Sequence, residues 1–240
     1  MDLFLLPETW IAIVTLTFLE IVLGVDNIIF ISIISNKLPK EEQQKARTVG
    51  LTLAIVIRVL MLLGISWLVH FTEPLFTVLE YGFSGRDLIL FFGGLFLLAK
   101  STSEIHHKVT HDKEEQSKNG ALSVGNAIFQ IVLLDIVFSF DSILTAVGLT
   151  DHVILMIIAV IVSMIIMIIF AGSISDFIAK YPTLQMLALS FLILIGFMLV
   201  LEGFHTHVPK GYIYFAVFFS LMVEYLNIKI RSKKVQKVVE

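Results

Sequence analysis

Four carboxylates occur in two apolar stretches that echo one another: Phe18 to Ile28 reads FLEIVLGVDNI, and Leu133 to Ile143 reads LLDIVFSFDSI. A shift of 115 positions places Glu20 on Asp135, Asp26 on Asp141, Asn27 on Ser142 and Ile28 on Ile143. A charged side chain at the middle of a membrane helix costs about 2.5–3.5 kcal/mol on insertion scales, so acids kept at repeat-related positions of such segments mark a functional site. The donors are oxygens, and Asp, Glu, Asn, Ser and backbone carbonyls suit a hard dication such as Mg, Ca or Mn. Zinc or copper would more often recruit imidazole or sulfur. The chain has no cysteine, which removes thiolate ligands and disulfides. Glu20, Asp26, Asn27, Asp135, Asp141 and Ser142 are therefore the candidate metal ligands; no catalytic set and no permanently bound cofactor is expected.

The segments that must position these residues are membrane spans. Of 240 residues 57% are hydrophobic and only 15% charged, and the mean hydropathy is +0.93. Val153 to Phe170 runs eighteen residues without a charge, Pro or Gly, close to the ~20 residues that cross ~30 Å of hydrocarbon. Seven spans are expected, at about Thr9–Ser35, Arg47–His70, Leu88–Ser103, Ala121–Leu149, Val153–Phe170, Thr183–Leu201 and Tyr212–Asn227, the third and seventh being the shortest. The class is all-α, a polytopic membrane protein. Lys37, Lys40, Lys45, Arg47, Lys108, Lys113, Lys118, Lys180 and the tail from Lys229 to Lys237 fall on one side, against Arg86 and Lys210 on the other. By the positive-inside rule the N-terminus is outside and the C-terminus cytoplasmic, in a cell (inner or plasma) membrane.

Because the acid motif returns after three spans, the second copy enters the membrane from the opposite side, which makes a 3+3 inverted repeat with a seventh C-terminal helix. The resulting units are 1–103, the first three-helix repeat; 104–120, a polar cytoplasmic linker; 121–205, the second repeat; and 206–240, the seventh helix with its basic tail. Weaker parallels follow in order: Ile65-Ser66 before Pro74 against Ile174-Ser175 before Pro182, and Gly94 against Gly196.

On a regular helix Glu20 and Asn27 share a face, whereas Glu20 and Asp26 diverge by about 240°. For both acids to line one cavity the helix must bend, and Gly24 is the expected place for it to unwind, as in the broken helices of transporters. Ser139 holds the equivalent position in the second copy, with a milder break from serine bonding back to the backbone. Inversion then sets Glu20 and Asp135 near the bilayer centre, with Asp26 about 9 Å inward and Asp141 about 9 Å outward. Arg58, midway along span two, is too deep to snorkel and is expected to pair with one of these acids as a charge balance for the empty site. His106, His107, His111, His205 and His207 fall in loops or at helix ends and are left outside the core site.

The motifs FLEIVLGVDNIIF, LLDIVFSFDSILTAVGL, GGLFLLAKSTSEIHH and HVPKGYIYFAVFFSLMVEYLN together resemble the TerC family of integral membrane proteins, named for tellurium resistance, over nearly the whole chain. The resemblance implies a seven-helix transporter of the wider lysine-exporter superfamily, with manganese export as the linked activity. The family's acidic motifs fall on Glu20, Asp26, Asn27, Asp135, Asp141 and Ser142. Tellurite is an anion that four carboxylates would repel, so the tellurium label reads as an indirect phenotype. The expectation is a secondary exporter of divalent cations, Mn2+ foremost, possessing no Walker motif and driven by proton exchange. It is not an enzyme; its partners are the metal ion and the bilayer, with no nucleic acid. The alternatives are a membrane scaffold that delivers metal to or assembles with other membrane or secreted proteins, and a Ca2+ or Mg2+ transporter. An intramembrane aspartyl protease fits worst, since VDN and FDS replace the GxGD of such enzymes.

Overall fold

The computed structural model describes residues 2–78, 81–110, 122–150, 152–206 and 208–239. A short 3-10 turn at Asp2–Leu5 precedes α1 (Pro7–Ser35), α2 (Lys40–Leu63), α3 (Ile65–His70), strands β1 (Pro74–Val78) and β2 (Tyr81–Ser84), α4 (Gly85–Val109), α5 (Val124–Val147), α6 (Val153–Lys180), α7 (Pro182–Gly203) and α8 (Lys210–Val239). Among the described residues, seven helices are long and apolar enough to cross a membrane, namely all but α3. Start and stop signals are local. Pro7 and Pro182 open α1 and α7 at positions where a missing N–H costs nothing. Ser84 and Asp87 form a reciprocal capping box at the start of α4. Exposed Trp10, Phe18, Leu60, Phe92, Phe129, Ile169 and Phe215 stud the outer surface, as expected of a protein whose solvent is lipid.

The helices pack as α1 on α6, α2 on α5 and α4 on α7, with further contact of α1 with α5 and of α2 with α6. Exchanging α1, α2 and α4 for α5, α6 and α7 turns the first pair into the second and maps the remaining three pairs onto themselves. The α4–α7 contact brings two backbones close together. A Cβ on Gly94 would lie 2.6 Å from the Gly196 carbonyl oxygen, and one on Gly196 would lie 3.0 Å from that of Gly94. Small residues at both sides let two membrane helices gain dispersion contact without side chains between them. Two bodies result: a four-helix body of α1, α2, α5 and α6, and the α4–α7 pair with α8 leaning on α7, joined by thin contacts.

Several expectations are corrected. Helix α1 is continuous through Gly24 and α5 through Ser139, so neither motif breaks its helix. Gly24 instead makes room for α6: a Cβ there would lie 2.6 Å from the Met167 sulfur. The third span is not short, because α4 covers 25 residues, whereas the seventh crosses with 20 residues of α8, Gly211–Ile230. Residues 104–109, assigned to the linker, continue α4, while 111–121 lie outside the described residues. Between spans two and three the chain adds α3 and an antiparallel β-hairpin, a device absent between α6 and α7, which meet at Tyr181. This hairpin marks one membrane face; Lys37, Lys108 and Lys180 mark the other.

Candidate functional site

The two central acids face each other across the four-helix body, and Arg58 of α2 lies between them. Its Nε and Nη2 donate to Asp135 Oδ2 and Oδ1 at 3.0 and 2.8 Å, a bidentate fork, while Nη1 donates to Glu20 Oε2 at 2.6 Å. Arg58, Asp135 and Glu20 are 2%, 3% and 4% exposed. At such burial an unpaired guanidinium or carboxylate is prohibitive, and each group is tolerable only because the others neutralise it. The expectation that Arg58 pairs with one acid is thus extended to two, one from each half of the chain. Helix geometry explains the convergence: α1 and α2 each pack against α5, which turns all three side chains into one interior.

Asn27, one heptad after Glu20, shares its face and donates Nδ2 to Asp135 Oδ1 at 3.1 Å. Its own Oδ1 is buried and accepts no hydrogen bond from the described residues, an open acceptor at the centre. Ser139 Oγ donates to the Asp135 backbone carbonyl and lies 3.1 Å from Asp135 Oδ2, so the back-bonding expected of this serine occurs without unwinding the helix. A void of about 10 Å3 adjoins Glu20 between Leu62, Ile143 and Met156, room for roughly one water. The backbone of Asp26 belongs to α1, but its side chain lies outside the described part of the structure.

Asp141 stands apart from this centre, toward the hairpin face. Its Oδ1 accepts from Arg86 Nη2 of α4 at 2.7 Å, and Ser142 next to it donates to the Ser139 carbonyl at 3.3 Å. Arg86 Nη1 is also 3.7 Å from Asp87. Asp87 Oδ2 accepts from Ser84 Oγ and Ser84 N at 2.6 and 2.9 Å and lies 2.9 Å from His205 Nε2. His205 holds φ = 60°, a left-handed conformation uncommon for residues other than glycine. Ser84, Arg86, Asp87 and His205 border a cleft of about 380 Å3 that also includes Thr72 and Glu202. Sequence reasoning missed Arg86, Asp87 and His205 as a group. The Ser84-x-x-Asp87 spacing was the available signal, because it anchors the start of α4 and with it Arg86. His207 and His111 lie outside the described residues.

On the lysine-rich face a second set of contacts ties helix ends together. Arg47 Nη1 donates to Ser175 Oγ at 2.9 Å, and Ser175 Oγ donates to Asn36 Oδ1 at 3.0 Å. Lys37, just after α1, forms an ion pair with Glu104 of α4, and Lys108 donates to Gln185 of α7. Among the described residues no three of His, Cys, Asp and Glu are gathered closely enough to hold a metal by themselves. What the centre contains is two carboxylates, one amide oxygen and an internal cation.

The comparisons with known proteins agree with the architecture. The chain is 53% identical over 228 residues to the UPF0053 inner membrane protein YgdQ of Escherichia coli K12, covering 95% of each. It is 49% identical over 227 residues to a UPF0053 protein of Haemophilus influenzae, covering 94% of this chain and 95% of that one. A third relative, the inner membrane protein YoaE of E. coli K12, is 45% identical over 228 residues, but these make up only 44% of its longer chain. No solved structure matches. The model of the integral membrane protein TerC family matches residues 5–238: with its seven spanning helices and paired acid motifs, this chain belongs to the TerC family.

Proposed function

We propose that the protein is a secondary transporter that exports divalent metal cations, Mn2+ foremost, across the cell inner membrane in exchange for protons. The observation that carries this reading is the Arg58 guanidinium held between Glu20 and Asp135. Two buried carboxylates from repeat-related helices are bridged by a cation on a side chain, and a mobile dication has the charge to take its place. Glu20, Asp135 and the Asn27 Oδ1 then supply hard oxygen ligands, with Asp26 and Asp141 as approaches from either side. Protons are the natural counter-substrate, since a carboxylate left without a cation in a water-poor interior is neutralised by one. Export from the lysine-rich face to the hairpin face follows if that lysine-rich face is cytoplasmic, which places the N-terminus outside.

A second reading, a membrane scaffold that assembles with other proteins, draws on the same centre: Arg58 satisfies both acids so well that the triad also serves as a packing element. Flux separates the two. Purified protein in liposomes with an imposed pH gradient should move Mn2+, and a panel of Mn2+, Ca2+, Mg2+ and Zn2+ ranks selectivity. Asp135→Asn and Glu20→Gln should each reduce flux by at least ~10-fold, the lower end of what losing even a supporting group of a metal site costs. Full flux in both variants would remove the acids from the mechanism, and no flux of any ion by the wild type would favour the scaffold.

A further inference from the structure

The acids of the candidate site and of the two faces each have a basic partner within the protein: Arg58 for Glu20 and Asp135, Arg86 for Asp141, His205 for Asp87 and Lys37 for Glu104. Glu224 of α8 has none among the described residues. It lies inside the spanning segment Gly211–Ile230, and its polar neighbour there is Asn227, whose Nδ2 donates to Oε2 at 3.4 Å. A carboxylate in a span is costly enough to call for a partner. The seating of α8 supplies a place for one. Ile213 and Val217 are buried, whereas no side chain from Phe218 to Ile230 is. Beside that second half a groove of about 380 Å3 separates α8 from α7, lined by Met186, Leu187, Phe219, Val223 and four polar residues, Thr183 and Glu224 among them. Consecutive spans run antiparallel, so Thr183 and Glu224 form the end nearest the lysine-rich face and Phe219 lies deeper. The groove is therefore charged at headgroup level and apolar below it.

We infer that this groove holds one phospholipid of the leaflet on the lysine-rich side, chosen for a headgroup that ends in a primary ammonium, as in an ethanolamine phospholipid. Glu224 accepts hydrogen bonds from the ammonium, a charge-assisted contact that a choline headgroup does not make because its nitrogen carries no N–H. Lys180, exposed at the same rim three residues before Thr183, complements the phosphate. One acyl chain follows Val223, Leu187 and Phe219 inward. The dimensions favour a chain over a helix from another protein: one α-helical turn, ~10 Å across and ~5.4 Å tall, fills about 420 Å3, more than the whole groove. The second half of α8, which buries no side chain of its own, is thus wedged against α7 by lipid, and the composition of that leaflet sets how the seventh helix sits. The inference goes beyond the transport reading and does not rely on it.

The chain has two tryptophans, so Phe219→Trp in a Trp10→Phe, Trp67→Phe background places a single fluorophore in the groove. The protein is reconstituted in choline-phospholipid nanodiscs containing a small share of ethanolamine, choline or anionic glycerol phospholipid with brominated chains, and quenching reads which lipid occupies the groove. The ethanolamine lipid should be preferred to the choline lipid about tenfold, the low end of a hydrogen bond to a charged group. Glu224→Gln should bring the ratio close to one, and Glu224→Lys should turn the preference toward the anionic lipid. Phe129→Trp, on the exposed surface of α5, should show no preference. Without any reporter, ethanolamine lipid should raise the melting temperature of the unmodified chain in detergent more than choline lipid does, and Glu224→Gln should lose that difference; if Phe219→Trp does not fold, this contrast decides. Equal quenching, or equal melting shifts, by ethanolamine and choline lipids would overturn the site. A preference that survives Glu224→Gln would overturn recognition by the carboxylate, and preference of the parent for the anionic lipid would overturn the choice of headgroup. A groove tryptophan that no brominated lipid quenches would mean that protein, such as a second copy of the chain, covers it, which also overturns the proposal.

Discussion

Removing the internal cation is the sharpest perturbation available. Arg58→Gln leaves Glu20 and Asp135 at 4% and 3% exposure without the two hydrogen bonds to Asp135, the one to Glu20, and the charge that accompanies them. Breaking a buried pair by deleting one member costs about 3–5 kcal/mol, because the remaining charge stays buried. For a chain of this size each kcal/mol shifts the melting temperature by roughly 2–4 °C, which gives a fall of about 6–20 °C. Trp10 and Trp67 provide intrinsic fluorescence for melting in detergent. The same variant also tests exchange between arginine and metal. With Arg58 gone, a dication meets two uncompensated carboxylates, and saturation at 100 times Kd should restore about 2.7 kcal/mol. Mn2+ should therefore raise the melting temperature of Arg58→Gln by several degrees and that of the wild type by much less. A variant that melts within about 2 °C of wild type, or Mn2+ shifts of equal size in both proteins, would refute the claim that arginine and metal share the two acids.

Two further outcomes follow from steric facts. Gly94→Ala drives a Cβ to 2.6 Å from the Gly196 carbonyl oxygen, which is backbone and cannot turn aside, whereas Gly125→Ala meets nothing within 4 Å; the first should lower stability by about 1–3 kcal/mol and the second should hold or raise it by up to ~1 kcal/mol, both read from detergent melting curves. His205 sits at φ = 60°, so His205→Val, β-branched, should melt lower than His205→Asn by about 1–2 kcal/mol equivalent, because asparagine tolerates the left-handed region and valine does not.

The elements and the acids were legible in the sequence for one reason: the bilayer imposes length and apolarity on every span, and a charge inside a span is conspicuous. Glu20 and Asp135 were found this way, and both bind the same arginine, Arg58. Arg58 was legible as a deep cation, but its reach to both acids was not. The partners lie 38 and 77 residues away, and only the packing of α1 and α2 on α5 brings them together. Gly24 was misread because glycine serves two purposes, backbone freedom and close approach, which a single sequence does not distinguish; here the Met167 sulfur occupies the space. Asp87 went unnoticed because an acid in the first turn of a helix has an ordinary role as a cap. It fills that role through Ser84 and simultaneously holds His205 and flanks Arg86. Neither the hairpin nor α3 carries a strong periodic pattern, so α3 was absorbed into the second span and the hairpin fell in the loop between His70 and Leu88.

The hairpin deserves weight beyond its size. If both halves of the chain were alike, opening toward one side would be the mirror image of opening toward the other, and the two states would have equal energy. The segment from Gly64 to Ser84, with α3 and β1–β2, belongs to one half only, while Tyr181 alone turns the corner in the other. Among the described residues the two membrane faces therefore differ. Under the transport reading proposed above, that inequality lifts the degeneracy of the two orientations, so the resting preference is written into a loop on the rim, and shortening that loop would alter the preference without touching a single acid.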